Sequence, residues 1–145
     1  MRKLVFKVIL PLILSITIYL LFRPITLKGY NLLNPLLIKQ LIGLRSHFFN
    51  FSSILPNWVI YSLPDGLWIY SFTNAMLLLF DNKSLKILFA SVPIIMAYMH
   101  ELCQLVLSNY GTFDVNDLIL YSFFYLIAIS SDYITKILLI LKKNK

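Results

Sequence analysis

The sequence predicts an all-α, polytopic membrane protein: a four-transmembrane-helix bundle with an interfacial helical segment between helices 1 and 2. Three observations carry this. First, 59% of the 145 residues are hydrophobic and only 13% are charged, where a soluble domain has about 45–50% and about 25%. Second, mean hydropathy is +0.80, and a chain of this length encloses too little interior to hide such an excess, so the excess faces lipid. Third, the apolar residues fall in runs close to the ~20 residues of a crossing helix, with basic residues at the ends of the runs. The whole of 1–145 reads as a single membrane domain.

The net charge of +7 does not indicate a nucleic-acid partner, because the basic residues form no patch interleaved with polar base-readers. They read as topology charges and headgroup contacts, which makes the lipid bilayer the first partner. The single cysteine, Cys103, lies inside an apolar run. It leaves no intrachain disulfide possible.

The first span covers about 4–22, an apolar run from Leu4 to Phe22 interrupted by Lys7, whose stem can snorkel to the interface. Met1-Arg2-Lys3 ahead of it resembles a signal peptide. The run is long for one, however, and Tyr19-Leu20-Leu21-Phe22-Arg23-Pro24 offers no small-residue cleavage site. An uncleaved helix ending at Arg23-Pro24 fits better, since the residue before proline resists the helical region.

Residues 32–61 are mixed. Leu36, Leu37, Ile38, Leu41, Ile42 and Leu44 alternate with Lys39, Gln40 and Arg45, a short apolar face with a basic edge. His47, Phe48, Phe49, Phe51, Trp58 and Tyr61 add aromatics suited to headgroup depth. No stretch here reaches the ~17–20 apolar residues of a span, so the segment is expected at the interface.

The second span is expected over 63–80. Ser62 reads as N-cap, Asp65 as the acid reaching back from the third position, and Pro64 sits in the first turn where its missing N–H is harmless. Asp81-Asn82-Lys83-Ser84 is a tight polar turn. The third span is expected over 85–107, kinked at Pro93. The fourth, 115–141, opens at Asp114 as N-cap with Asp117 three residues on, and is longer than a bilayer needs. Both termini inside places Arg2, Lys3, Lys7, Lys83, Lys86, Lys136, Lys142, Lys143 and Lys145 in the cytoplasm. Only Arg23, Lys28, Lys39 and Arg45 then lie outside, as the positive-inside rule asks.

That topology gathers Asp65, Glu101, Asp114 and Asp117 at the outer face. Asp81 in its turn, and Asp132 within reach of Lys136, are structural. Capping accounts for Asp65, Asp114 and Asp117 one at a time but not for their convergence, which would make an acidic pocket for a cation or an amine-bearing ligand. Glu101 stands out because a carboxylate inside a membrane helix is costly and so is paired or functional. Its face reads Ala90, Ile94, Ala97, Glu101, Gln104, Ser108, small or polar residues at spacings of three and four, opposite Met99, Leu102 and Val106. Glu101 is therefore expected inside the bundle, held from Gln104 or from the start of the last helix near Asp117. It serves there either an interior hydrogen-bond network or ligand and proton binding. His100 has no second histidine one turn away, position 104 being Gln, so no zinc site is specified. No cofactor is implied, and no phosphate loop or nucleophile elbow is present.

Glu101-x-x-Gln104, followed by Gly111-Thr112-Phe113-Asp114-x-x-Asp117 opening the last helix, resembles the VanZ-like family of bacterial integral membrane proteins. Arg23-Pro24 and Leu63-Pro64-Asp65-x-Leu67-Trp68 fit its small, divergent members. The resemblance implies that Glu101, Gln104 and Asp117 are recurring family positions. The family's Arg between Gln and Asp is absent here, its Asn one turn after the Asp is Tyr121, and its Gly-rich face is Phe124 and Tyr125. The family is named for lowering susceptibility to the glycopeptide teicoplanin. The resemblance thus implies a multi-pass protein of the bacterial cytoplasmic membrane.

Ligand-binding or polar-core candidates are then Glu101, Gln104, Asp117, Asp114, Asp65 and Trp68. Three functions compete. One is a non-enzymatic bundle binding an envelope component or a partner membrane protein. The second is a membrane enzyme using outer-face carboxylates, with or without a divalent cation, on a lipid-linked substrate. The third is a small proton-coupled exporter titrating at Glu101. The separations between the carboxylates distinguish them.

Overall fold

A computed structural model describes residues 1–24, 34–52, 54–106 and 111–143. Positions 32, 33 and 53 of the interfacial segment, 107 of the third span, Ser108 of the Glu101 stripe, and Lys28 and Lys145 of the charge pattern lie outside the described residues, as do the side chains of Phe49, Phe51, Lys136, Lys142 and Lys143. The described residues form six helices, which we number α1 (Arg2–Phe22), α2 (Pro35–Ser52), α3 (Asn57–Tyr61), α4 (Leu63–Leu79), α5 (Lys83–Val106) and α6 (Val115–Lys143). Three of them are long and apolar enough to cross a membrane: α1, α5 and, over Val115–Thr135, α6. These three leave most of their apolar side chains on the outside, Met96 67% exposed and Leu126 61% for example. Apolar surface on that scale is what a lipid-facing helix presents and a soluble monomer avoids.

The α4 helix differs from the expectation over 63–80. It stops at Leu79, with Phe80 in extended backbone (φ −104°, ψ 126°), and has 17 residues, about 25 Å by helical rise against ~30 Å of hydrocarbon. It is the hub, packed against α6, α5 and α1. Eight of its residues are buried, including Ser71, Thr73 and Asn74, whereas α1 buries Ser15 and α5 buries Ala90 and Glu101. Small and polar residues thus share the interior with Leu67, Ile69 and Leu77 while most large apolar side chains lie outside, as expected where helices associate in lipid by close packing. Gly66 marks the tightest approach: a Cβ there would sit 2.5 Å from Phe124 Cδ2 of α6. Ser15 Oγ donates to the Pro64 carbonyl at 2.8 Å and fastens α1 to the start of α4.

Two local features depart from the sequence reading. Residues Val5–Ile9 of α1 form a π-helical turn. Pro11 follows it and has no N–H for the Lys7 carbonyl, and a wider turn accommodates the proline without ending the helix. Lys7 reaches across to the Ser131 hydroxyl (3.0 Å) and carbonyl (3.2 Å) of α6. Ser62, expected as an N-cap, makes no capping bond: it has helical angles (φ −97°, ψ −34°) and its buried Oγ has no partner. An N-cap needs extended backbone, but α3 runs into α4 with one residue between, and Gly66 N–H donates to the Ser62 carbonyl.

The starts of α2, α5 and α6 are capped by short polar side chains. Asn34 Oδ1 accepts from Leu36 N–H at the start of α2, Asn82 Oδ1 from Ser84 and Leu85 N–H at the start of α5, and Asp114 Oδ1 from Asn116 N–H at the start of α6. The α5 helix continues through Pro93. Where the sequence predicts one interfacial segment, α2 and α3 lie, neither of them among the spanning helices. Arg45 ties α2 to the Leu20 carbonyl at 3.4 Å, and Leu36, Leu37, Ile42 and Leu44 stay exposed.

The cross-links set the chain direction. Lys7 and Ser131 join the start of α1 to the far part of α6. Arg23 and Asp65 join the end of α1 to the start of α4, and Glu101 and Tyr121 join the end of α5 to the start of α6. Successive long helices therefore run antiparallel. One end of the bundle collects the ends of α1 and α5 and the starts of α4 and α6.

Candidate functional site

At that end lies a cavity of about 1050 Å³. The α4 residues lining it are Asp65, Trp68, Ile69, Phe72 and Met76, and from α5 come Phe89, Val92, Pro93, Met96, Ala97, His100, Glu101 and Gln104. Both sets repeat at three and four, so each is one helical face. Arg23, Trp58 and Tyr61 close one side, and Gly111, Thr112, Asp114, Asn116, Asp117 and Tyr121 roof it. All six sequence candidates, Asp65, Trp68, Glu101, Gln104, Asp114 and Asp117, line this one cavity.

Proline at 64 organises the Arg23 corner. Having no N–H, Pro64 leaves the Ile60 carbonyl outside the helical ladder, and Arg23 takes it up with Nε at 3.5 Å. The same guanidinium donates to the Tyr61 carbonyl and pairs with Asp65 at 2.7 Å. It also lies over the Tyr19 ring, 4.8 Å from its centroid. Asp65 is thus an ion-pair partner rather than the capping acid expected of it.

Glu101 is buried, 1% exposed, on the inner face of α5, while Met99, Leu102 and Val106 opposite are 53–78% exposed. Its donor comes from the opening of the last helix near Asp117, one of the two expected sources, and not from Gln104. Tyr121 Oη donates to Glu101 Oε1 at 3.2 Å. Gln104 turns away, its Nε2 3.1 Å from His100 Nδ1, and Gly111 (φ +140°) backs onto it, where a Cβ would stand 2.9 Å from Gln104 Cδ. Only glycine holds that backbone angle without strain. His100 Nδ1 is 3.9 Å from Glu101 Oε1. One turn deeper, Tyr98 and Ser122 hydrogen-bond across the same α5–α6 seam.

Two carboxylate oxygens in this site are buried without a hydrogen-bond partner among the described residues: Glu101 Oε2 and Asp117 Oδ1. Asp114, by contrast, is occupied as the N-cap of α6. Asp65, Asp117, Glu101 and Tyr121 all line this one cavity. No three His, Cys, Asp or Glu side chains among the described residues are grouped to hold a metal ion.

Sequence reading missed Arg23 and Tyr121 as site residues. The Arg23 signal was present in Pro64, which frees a carbonyl for an outside donor. Tyr121 is one turn after Asp117 on a stripe continuing to Ala128, which is fully buried. Fold and cavity together define an all-helical protein with three helices long and apolar enough to cross a membrane and a chamber at one end of the bundle that is polar at that end and apolar along its length. In comparison with known proteins, the chain matches no family model, no curated protein and no solved structure.

Proposed function

We propose that this chain is a VanZ-like, four-span protein of the bacterial cytoplasmic membrane, both termini inside, that binds an envelope component in its outward-facing polar cavity without catalysing a reaction. The observation that carries the reading is the buried Glu101, whose Oε2 has no hydrogen-bond partner among the described residues, at a chamber lined also by Asp65, Asp114 and Asp117. Polar groups buried in a bundle without partners cost free energy, and a ligand that supplies donors removes the cost.

Chain direction supports α4 as the fourth span. The chain leaves α1 at the cavity end and begins α5 at the other, so α4 carries it back, with α3 adding a turn to its 17 residues. The distribution of Lys and Arg supports the cavity end as the outer one. The family resemblance supplies the assay. Expressed in a teicoplanin-susceptible host, the wild-type chain should raise the inhibitory concentration, and Glu101→Gln at equal membrane level should not. Wild-type behaviour of Glu101→Gln, or no effect of the wild type, counts against the reading. A C-terminal reporter active only outside the cytoplasm should stay silent.

A further inference from the structure

We infer that the occupant of the cavity is a bilayer lipid whose headgroup carries a primary ammonium, with the ammonium at Glu101 and Asp117 and hydrocarbon between α4 and α5. The inference rests on the binding reading above and names the ligand class.

The cavity is polar at one end and apolar along its length. From Glu101 the α5 face descends through Ala97, Met96, Val92 and Phe89, twelve residues or ~18 Å of helix. The α4 face descends in parallel through Phe72 and Met76. Phe72, Val92 and Met96 are each more than a third exposed although they line the cleft, so it opens on the side that meets lipid. A small soluble cation leaves that apolar length unfilled, whereas an acyl chain fits it.

Charge and donor count choose the headgroup. Asp65 is neutralised by Arg23 and Asp114 is engaged as a cap, which leaves Glu101 and Asp117 with buried oxygens that have no donor. These acceptors ask for a cationic N–H donor. A primary ammonium offers three N–H groups at one point, as lysine does. A quaternary ammonium carries the charge with no N–H, so it leaves both oxygens unsatisfied.

The test uses the full chain purified in mild detergent, with native mass spectrometry of bound lipid. The probes are phosphatidylethanolamine, phosphatidylcholine and phosphatidylglycerol with identical acyl chains, and soluble glycerophosphoethanolamine. Phosphatidylethanolamine should be retained about tenfold or more over phosphatidylcholine, the ratio expected of one hydrogen bond to a charged group. Glu101→Gln should lower that preference at least fivefold. Asp117→Asn, at a less buried position, repeats the test if Glu101→Gln does not accumulate. Val92→Trp should displace the lipid by filling the cleft. Equal retention of the two zwitterionic lipids, or a preference for phosphatidylglycerol, overturns the inference. So does glycerophosphoethanolamine binding as tightly as the lipid with Val92→Trp silent, which leaves the polar-site reading standing. Loss of the teicoplanin phenotype in Glu101→Gln without lipid preference sinks only the lipid assignment. Absence of both sinks both.

Discussion

Replacing Tyr121 with phenylalanine removes a hydroxyl and leaves the ring, so it isolates the bond that joins α6 to the buried carboxylate of α5. The size of the effect follows from competing terms. A hydrogen bond to a charged acceptor contributes about 1.5–3 kcal/mol in soluble proteins. Double-mutant cycles in a membrane bundle average about 0.6 and reach about 1.7 kcal/mol, because the membrane-inserted unfolded state also finds partners. The observed Oη to Oε1 distance of 3.2 Å is longer than the ~2.7–2.8 Å typical of O–H···O, which places this bond in the lower range. Burial acts the other way: at 1% exposure, Glu101 has no bulk water to replace the lost donor. Tyr121→Phe should therefore cost about 1–2 kcal/mol. The coupling between Tyr121→Phe and Glu101→Gln should be about 1 kcal/mol, read from reversible unfolding in mixed micelles. Tyr133→Phe, at a position 66% exposed, is the control and should change stability by less than about 0.5 kcal/mol. Additive single mutants, with coupling below about 0.3 kcal/mol, would refute the contact and the account of how α5 and α6 are joined.

Gly66→Ala should destabilise the bundle by about 1–3 kcal/mol although alanine is the better helix former by about 1 kcal/mol, because its Cβ would meet Phe124. Adding Phe124→Leu should recover part of the loss in the same unfolding assay, and a stabilised Gly66→Ala alone would contradict the close approach. Arg23→Ala should cost more than Asp65→Asn, since Arg23 also serves the Tyr61 carbonyl and the Ile60 carbonyl that Pro64 leaves without a helical donor. Equal losses in thermal unfolding would reduce Arg23 to one partly exposed ion pair, worth about 1 kcal/mol or less. Cysteine introduced at Lys39 or Arg45 should react with an impermeant thiol reagent added outside cells, and protection of both would place α2 elsewhere.

Much of the bundle was legible because membrane helices advertise themselves through long apolar runs with charged ends, a local signal. Helices α1, α5 and α6 begin and end within two residues of the apolar runs, the starts of α1 and α5 taking in their basic flanks. The face of Glu101 was legible for the same reason: three- and four-residue spacing separates Ala90 and Ala97 from Met99, Leu102 and Val106 on any helix. Less accessible was the role of Ser62. Its neighbours spell a capping sequence, yet whether a preceding helix runs straight into it depends on how α3 packs.

The sequence by itself determined the lipid-like exterior, the antiparallel order of helices and the identity of the acids, since hydropathy, charge placement and helical period are properties of the chain read residue by residue. Only the tertiary structure decided that α4 is the buried hub, that Tyr121 rather than Gln104 donates to Glu101, and that Arg23 rather than a helix terminus engages Asp65. Those outcomes depend on distances between residues 20 to 42 positions apart in the chain. A hydrogen bond is sensitive to tenths of an ångström, and helical periodicity supplies the direction of a side chain but not the partner that packing brings to meet it.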